Sequence, residues 1–127
     1  MPDGADDTPL PSVKVGIVST QRGVHSTLES WIHWHLEGAH FDHLFLYLDA
    51  PQEDAEQALS LASVYSPRVT VLMADESFRQ REGYDSLCSW PDVESTVGTQ
   101  VQSRQRLNCE HCLRLCASAS IRWLLHI

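Results

Sequence analysis

Four short β-rich runs separated by helix-forming stretches constrain this chain most: Lys14–Thr20 (KVGIVST), His43–Leu48 (HLFLYL), Arg68–Ala74 (RVTVLMA) and Ile121–Ile127 (IRWLLHI). Between the first two, Leu28, Trp31, Ile32, His35, Leu36 and Ala39 recur at helical spacing, with Gly38 as the expected stop. Ser26-Thr27-Leu28-Glu29 ahead of them has capping-box spacing. Pro51 suits a first helical turn, Glu53, Asp54 and Glu56 suit its positive end, and Ala55, Leu59, Ala62 and Tyr65 supply a stripe to bury. Ser66-Pro67 stops that helix. A last helix is expected from about Ser95 to Ala119.

Strands alternating with helices pair in parallel through right-handed crossovers, which place helices on both sheet faces. The expected fold class is α/β: a Rossmann-like, three-layer α/β/α arrangement with a mainly parallel sheet. The expected spatial order of the strands is third, second, first, fourth. Ile121–Ile127 reads as a buried strand with no turn or polar tail after it, so the chain is expected to be the front part of a larger α/β domain.

Composition narrows the partners. Of the 127 residues, 43 % are hydrophobic, enough for a core, yet no apolar run approaches the ~20 residues that span a bilayer. Residues 1–12 carry Asp3, Asp6, Asp7, Pro2, Pro9 and Pro11 and read as a flexible acidic tail, unlike a secretion signal. With neither signal nor membrane segment, the default compartment is cytoplasmic. The net charge is −8 and Lys14 is the only lysine, so nucleic acid is excluded as a partner. A small phosphorylated ligand needs local arginines or a divalent cation to offset that charge.

Glycine-rich phosphate loops and the G-x-S-x-G elbow are missing from the sequence. Cys109, Cys112 and Cys116 share one helix face, and with Cys88 they offer four thiols to zinc; packing of three small side chains against a sheet is the plainer use. His33 and His35 point to different helix faces, and His35 suits a hydrogen-bonded core position. Asp75 to Glu94 shows no clear period, holds Arg79, Arg81, Tyr84 and Trp90, and reads as a lid.

Thr20 to Arg22 follow the first strand and Asp49 ends the second, so both sites fall on the sheet edge that binds ligands. The last helix begins at that edge too, bringing Arg104 and Gln105 toward it. An arginine there can hold phosphate, and a carboxylate ribose or base groups. Ordinary loop solvation and a helix cap at Asp49 are the bland alternatives.

Three stretches, VGIVSTQRG, SWIHWHLEGAHFDHLFLYLDAPQEDAEQAL and RQRLNCEHCLRLCASASIRWLLHI, resemble the family 92-like and family 2-like glycosyltransferases of the GT-A fold. The resemblance spans residues 13–127 and rests on Trp34-His35, Gly38, Asp49, Arg104-Gln105 and Trp123 to Ile127. It implies the nucleotide-sugar-binding front part of an enzyme that transfers a sugar to a glycan or other hydroxyl acceptor. Thr20, Arg22, Asp49, Arg104 and Gln105 would line the donor pocket. A divalent cation, Mn²⁺ by family expectation, would be held by an acidic motif after Ile127. This chain alone would then carry no catalytic residue, bind no metal and be inactive. The alternative is a non-enzymatic α/β interaction module binding zinc through Cys88, Cys109, Cys112 and Cys116.

Overall fold

A computed structural model describes residues 13–22 and 27–127, with only the backbone of residues 52–54. The acidic segment 1–12, the turn at Gly23, the Ser26 capping hydroxyl and the side chains of Glu53 and Asp54 lie outside the described residues. The described chain runs β1 (Val15–Gln21), α1 (Leu28–His33), a π-helical turn (Trp34–Gly38), β2 (His43–Leu48), α2 (Pro51–Val64) and β3 (Val69–Met73). Next come α3 (Glu76–Arg81), a 3₁₀ turn (Tyr84–Ser86), α4 (Trp90–Val93), α5 (Val101–Ala119) and β4 (Trp123–His126).

The strands form one all-parallel sheet in the order β3-β2-β1-β4, as the alternation of elements predicts. Its pleat sends Ile17, Leu44 and Leu46 to one face, where they pack with Leu28, Ile32, Leu36 and Ala62. Val18, Phe45 and Tyr47 face the other way and pack with Phe78, Leu107, Cys112 and Cys116. Both faces of the central strands are therefore apolar, which is why these runs are continuous rather than alternating.

Several local expectations change. The first helix stops at Gly38 as expected, but its last turn widens into the π turn, with the Ala39 N–H donating to Trp34 O at 2.8 Å. Glycine matters there for space, since a Cβ on Gly38 would lie 2.5 Å from the Trp34 ring. The left-handed residue is His40, at φ 61°. His35 is half-buried and hydrogen-bonded, its Nδ1 lying 2.7 Å from Trp31 O. In α2, Ala58 and Ala62 are buried while Leu59 is 50 % exposed, because small residues four apart let the helix lie close to the sheet.

The segment expected to be a lid is instead a packed series of helical turns, with Phe78, Tyr84, Leu87 and Val93 buried in the core. Asp75 starts it, accepting the Phe78 N–H at 2.8 Å as an N-cap. The last helix begins at Val101, later than expected, after turns at 94–99. The final strand is not buried. Among the described residues β4 pairs only with β1, leaving Trp123, Leu125 and Ile127 exposed, the first two on the same sheet face as Val15 and Ile17 but outside the cluster that α1 and α2 cover. Leu124, facing the other way, packs against the core beneath α5.

Two measurements test this packing. Leu107 is fully buried on α5 and Leu113 is 55 % exposed on the same helix. Leu107→Ala should cost about 2–5 kcal/mol in chemical denaturation and Leu113→Ala less than about 0.5 kcal/mol. The second concerns His43, whose Nε2 lies 2.6 Å from Thr70 Oγ1 and whose pKa is pushed down by burial and then by Lys14. The folded form disfavours the imidazolium, so the unfolded chain binds more protons. His43 thus contributes stability that is present above its ordinary pKa of 6.5 and is lost as pH falls through the lower folded value. Wild type should lose more stability than His43→Asn between neutral and mildly acidic pH; equal losses would contradict the assignment.

Candidate functional site

The carboxyl ends of β1, β2 and β3 open onto a shallow cleft of about 260 Å³. Its charged walls are Arg22, Asp49, Asp75, Glu76, Arg79 and Arg104. Arg104 reaches it because α5 runs back beneath the sheet and starts at this edge. Its Nε donates to Asp49 Oδ1 at 2.7 Å and its Nη2 to Asp49 Oδ2 at 2.9 Å, a two-pronged pair. Nη1 donates to Val97 O at 3.0 Å. The side chains of Arg104 and Asp49 are only 14 % and 3 % exposed. The hydrogen bond to Asp49 holds Arg104 above its ordinary pKa, outweighing burial. A guanidinium has five N–H donors. Three are committed here, leaving two.

Thr20 is fixed by the same helix. Asn108 Nδ2 donates to Thr20 Oγ1 at 3.0 Å, and Asn108 Oδ1 accepts from the Tyr84 hydroxyl at 2.8 Å. Further along α5, His111 sits between Tyr47 Oη at 2.7 Å and Glu82 Oε1 at 2.9 Å. A carboxylate only accepts, so Nε2–H donates to Glu82, and in that tautomer Nδ1 accepts the Tyr47 O–H. Burial pushes the Tyr47 phenol up, away from ionisation. Arg104, Asn108 and His111 thus form one polar stripe on α5, which ties the helix to the tips of β1 and β2 and to the turns after α3.

Of the residues expected at the site, Arg22, Asp49 and Arg104 line one cleft and Thr20 lies beside it through Asn108. Gln105 does not join them. It lines a different groove, between α5 and β4, with Cys109, Leu113 and His126. The reason is helical phase: adjacent residues lie about 100° apart, and Arg104, not Gln105, shares the face of Asn108. Arg79, Asp75 and Glu76 join the site because α3 starts at the tip of β3. Asn108 and His111 are polar groups that the apolar pattern of α5 conceals; their offsets of four and seven from Arg104 are the only mark they leave in the sequence.

The cysteines do not converge. Cys88 is exposed, Cys112 and Cys116 are buried against the sheet, and Cys109 is half-buried. Burial first, and then thiol neighbours, pushes the Cys109 and Cys112 thiols up, disfavouring the thiolate that zinc requires. Among the described residues, no group of three or more His, Cys, Asp or Glu is placed to hold a metal ion. No helix among the described residues is long and apolar enough to cross a membrane. Comparison with protein-family models, with curated proteins and with solved structures finds no match.

The stripe predicts a specific stability loss. Asn108 is 1 % exposed, so Asn108→Ala leaves the Tyr84 hydroxyl without its buried acceptor. The expected loss is roughly 1–3 kcal/mol by chemical denaturation, with much of it shared by Tyr84→Phe in a double-mutant cycle. Additive losses would show that the two side chains do not act together.

Proposed function

We propose that residues 13–127 are the nucleotide-sugar-binding front part of a Rossmann-like, three-layer GT-A glycosyltransferase domain, whose complete form transfers a sugar to a hydroxyl acceptor. The observation that carries this reading is the Asp49–Arg104 pair at the carboxyl edge of a parallel sheet. It holds a guanidinium rigid, with two N–H donors left over, beside Arg22 and Arg79. The chain carries a net charge of −8, and the cleft gathers Arg22, Arg79 and Arg104 beside Asp49, Asp75 and Glu76, so diphosphate would be held there by arranged N–H donors and not by net charge.

Asp49 takes a different part from the one the sequence suggests. Both of its oxygens are engaged by Arg104, so it orients that arginine while Arg104, Arg22 and Arg79 face the phosphates. Thr20 accepts from Asn108 and keeps its own hydroxyl proton for a ligand oxygen. The divalent cation expected for such donors, Mn²⁺ by resemblance, has no fitting set of three ligands among the described residues, and none is assigned to this chain.

The test is calorimetric titration of UDP into the wild-type chain, Arg104→Gln and Asp49→Asn. Charge-assisted hydrogen bonds contribute about 1.5–3 kcal/mol, so Arg104→Gln should weaken binding by roughly ten- to a hundredfold. Asp49→Asn should weaken it less, because the arginine remains but is no longer held. Unchanged affinity in Arg104→Gln would remove the arginine cleft as the binding site.

A further inference from the structure

Asp49 is committed to Arg104, so the charged cleft holds no evident reader for the aromatic end of a nucleotide. A second and larger cleft of about 530 Å³ adjoins it, and the two share Glu76, Arg79 and Gly98 as lining. A cavity of that size falls within the range that holds small ligands. Trp90, at the start of α4, lines this second cleft while also packing against the buried core cluster. Its backbone is fixed on both sides, Trp90 N–H donating to Leu87 O at 3.0 Å and Trp90 O accepting from Glu94 N–H at 2.8 Å. Packing against the core restrains the indole while part of it lines the cleft, which lowers the entropic cost of stacking there. Asp85 and Gln80 line the same cleft and supply hydrogen-bonding groups for the edge of a planar ring. Arg79 stands at the junction of the two clefts, its Nη1 donating to Ala74 O at 3.0 Å.

Building on the reading of the arginine cleft as a diphosphate seat, we infer that the adjoining cleft takes the base of a nucleoside diphosphate, with Trp90 as its stacking platform. The ligand lies across Arg79, its anionic end toward Arg104 and Arg22 and its planar end on the indole. Base–aromatic stacking tolerates any base, because every base has a π face, so Trp90 provides affinity, and the choice among bases falls to Asp85 and Gln80.

The experiment titrates inorganic pyrophosphate, UDP and GDP separately into the wild-type chain, Trp90→Ala and Trp90→Phe, at one Mg²⁺ concentration. Wild type should bind at least one nucleoside diphosphate more tightly than pyrophosphate. Trp90→Ala should lose at least about fivefold of that nucleotide affinity, while Trp90→Phe keeps most of it. Pyrophosphate affinity should stay the same in all three, which also shows that each variant is folded. Two outcomes overturn the inference alone: equal binding of pyrophosphate and both nucleotides by wild type, or nucleotide affinity indifferent to Trp90→Ala. Either leaves the arginine cleft standing as an anion site. Failure of wild type to bind any of the three overturns the arginine cleft and the base site together.

Discussion

The position of α5 across the sheet depends on a single polar stripe, and the cleft depends on the position of α5. Arg104 grips Asp49 at the tip of β2, Asn108 bridges Thr20 on β1 to Tyr84, and His111 bridges Tyr47 to Glu82. Apolar contact alone would let a helix slide along a sheet with little change in buried area. Buried polar groups forbid it, since a shift of one residue leaves an amide, an imidazole and a carboxylate unpaired at once. Directional bonds set the register here, while Leu107, Cys112 and Cys116 supply the burial.

That register has an electrostatic consequence. Arg104 is held in place by a carboxylate, so an anion binding there would meet a guanidinium already ordered. The same carboxylate cancels part of the positive charge, so any pull of the cleft on an anion would come from arranged donors more than from net field. Arg79 is arranged in the same way by a backbone carbonyl, at the start of a helix capped by Asp75. The turns between β3 and α5 therefore belong to the core and the site together, and are no cover that swings over it.

The four parallel strands and their order were legible because fully buried strands read as continuous apolar runs of β-branched and aromatic residues, and because crossover rules leave few arrangements. Arg22, Asp49 and Arg104 could be placed at one edge for the same reason: each follows a strand or starts a helix at that edge. The helical turns of 76–93 were not legible. They are too short to establish a period, and what stabilises them is burial of Phe78, Tyr84 and Leu87 against β2 and α5. Leu59 loses its expected inward place to Ala58 for a related reason, since only the approach distance of α2 decides whether a small or a large residue faces inward.

Local chemistry by itself determined the alternation of elements, the parallel sheet and the identity of the edge where charged residues gather. Tertiary structure alone decided which of those residues meet. Arg104 and Gln105 are neighbours in sequence, yet a 100° turn of helix sends one to Asp49 and the other to a separate groove. Likewise, β4 has the composition of a buried strand but lies at the sheet edge with Trp123 and Leu125 exposed, because burial is a property of what packs alongside and no residue carries it alone.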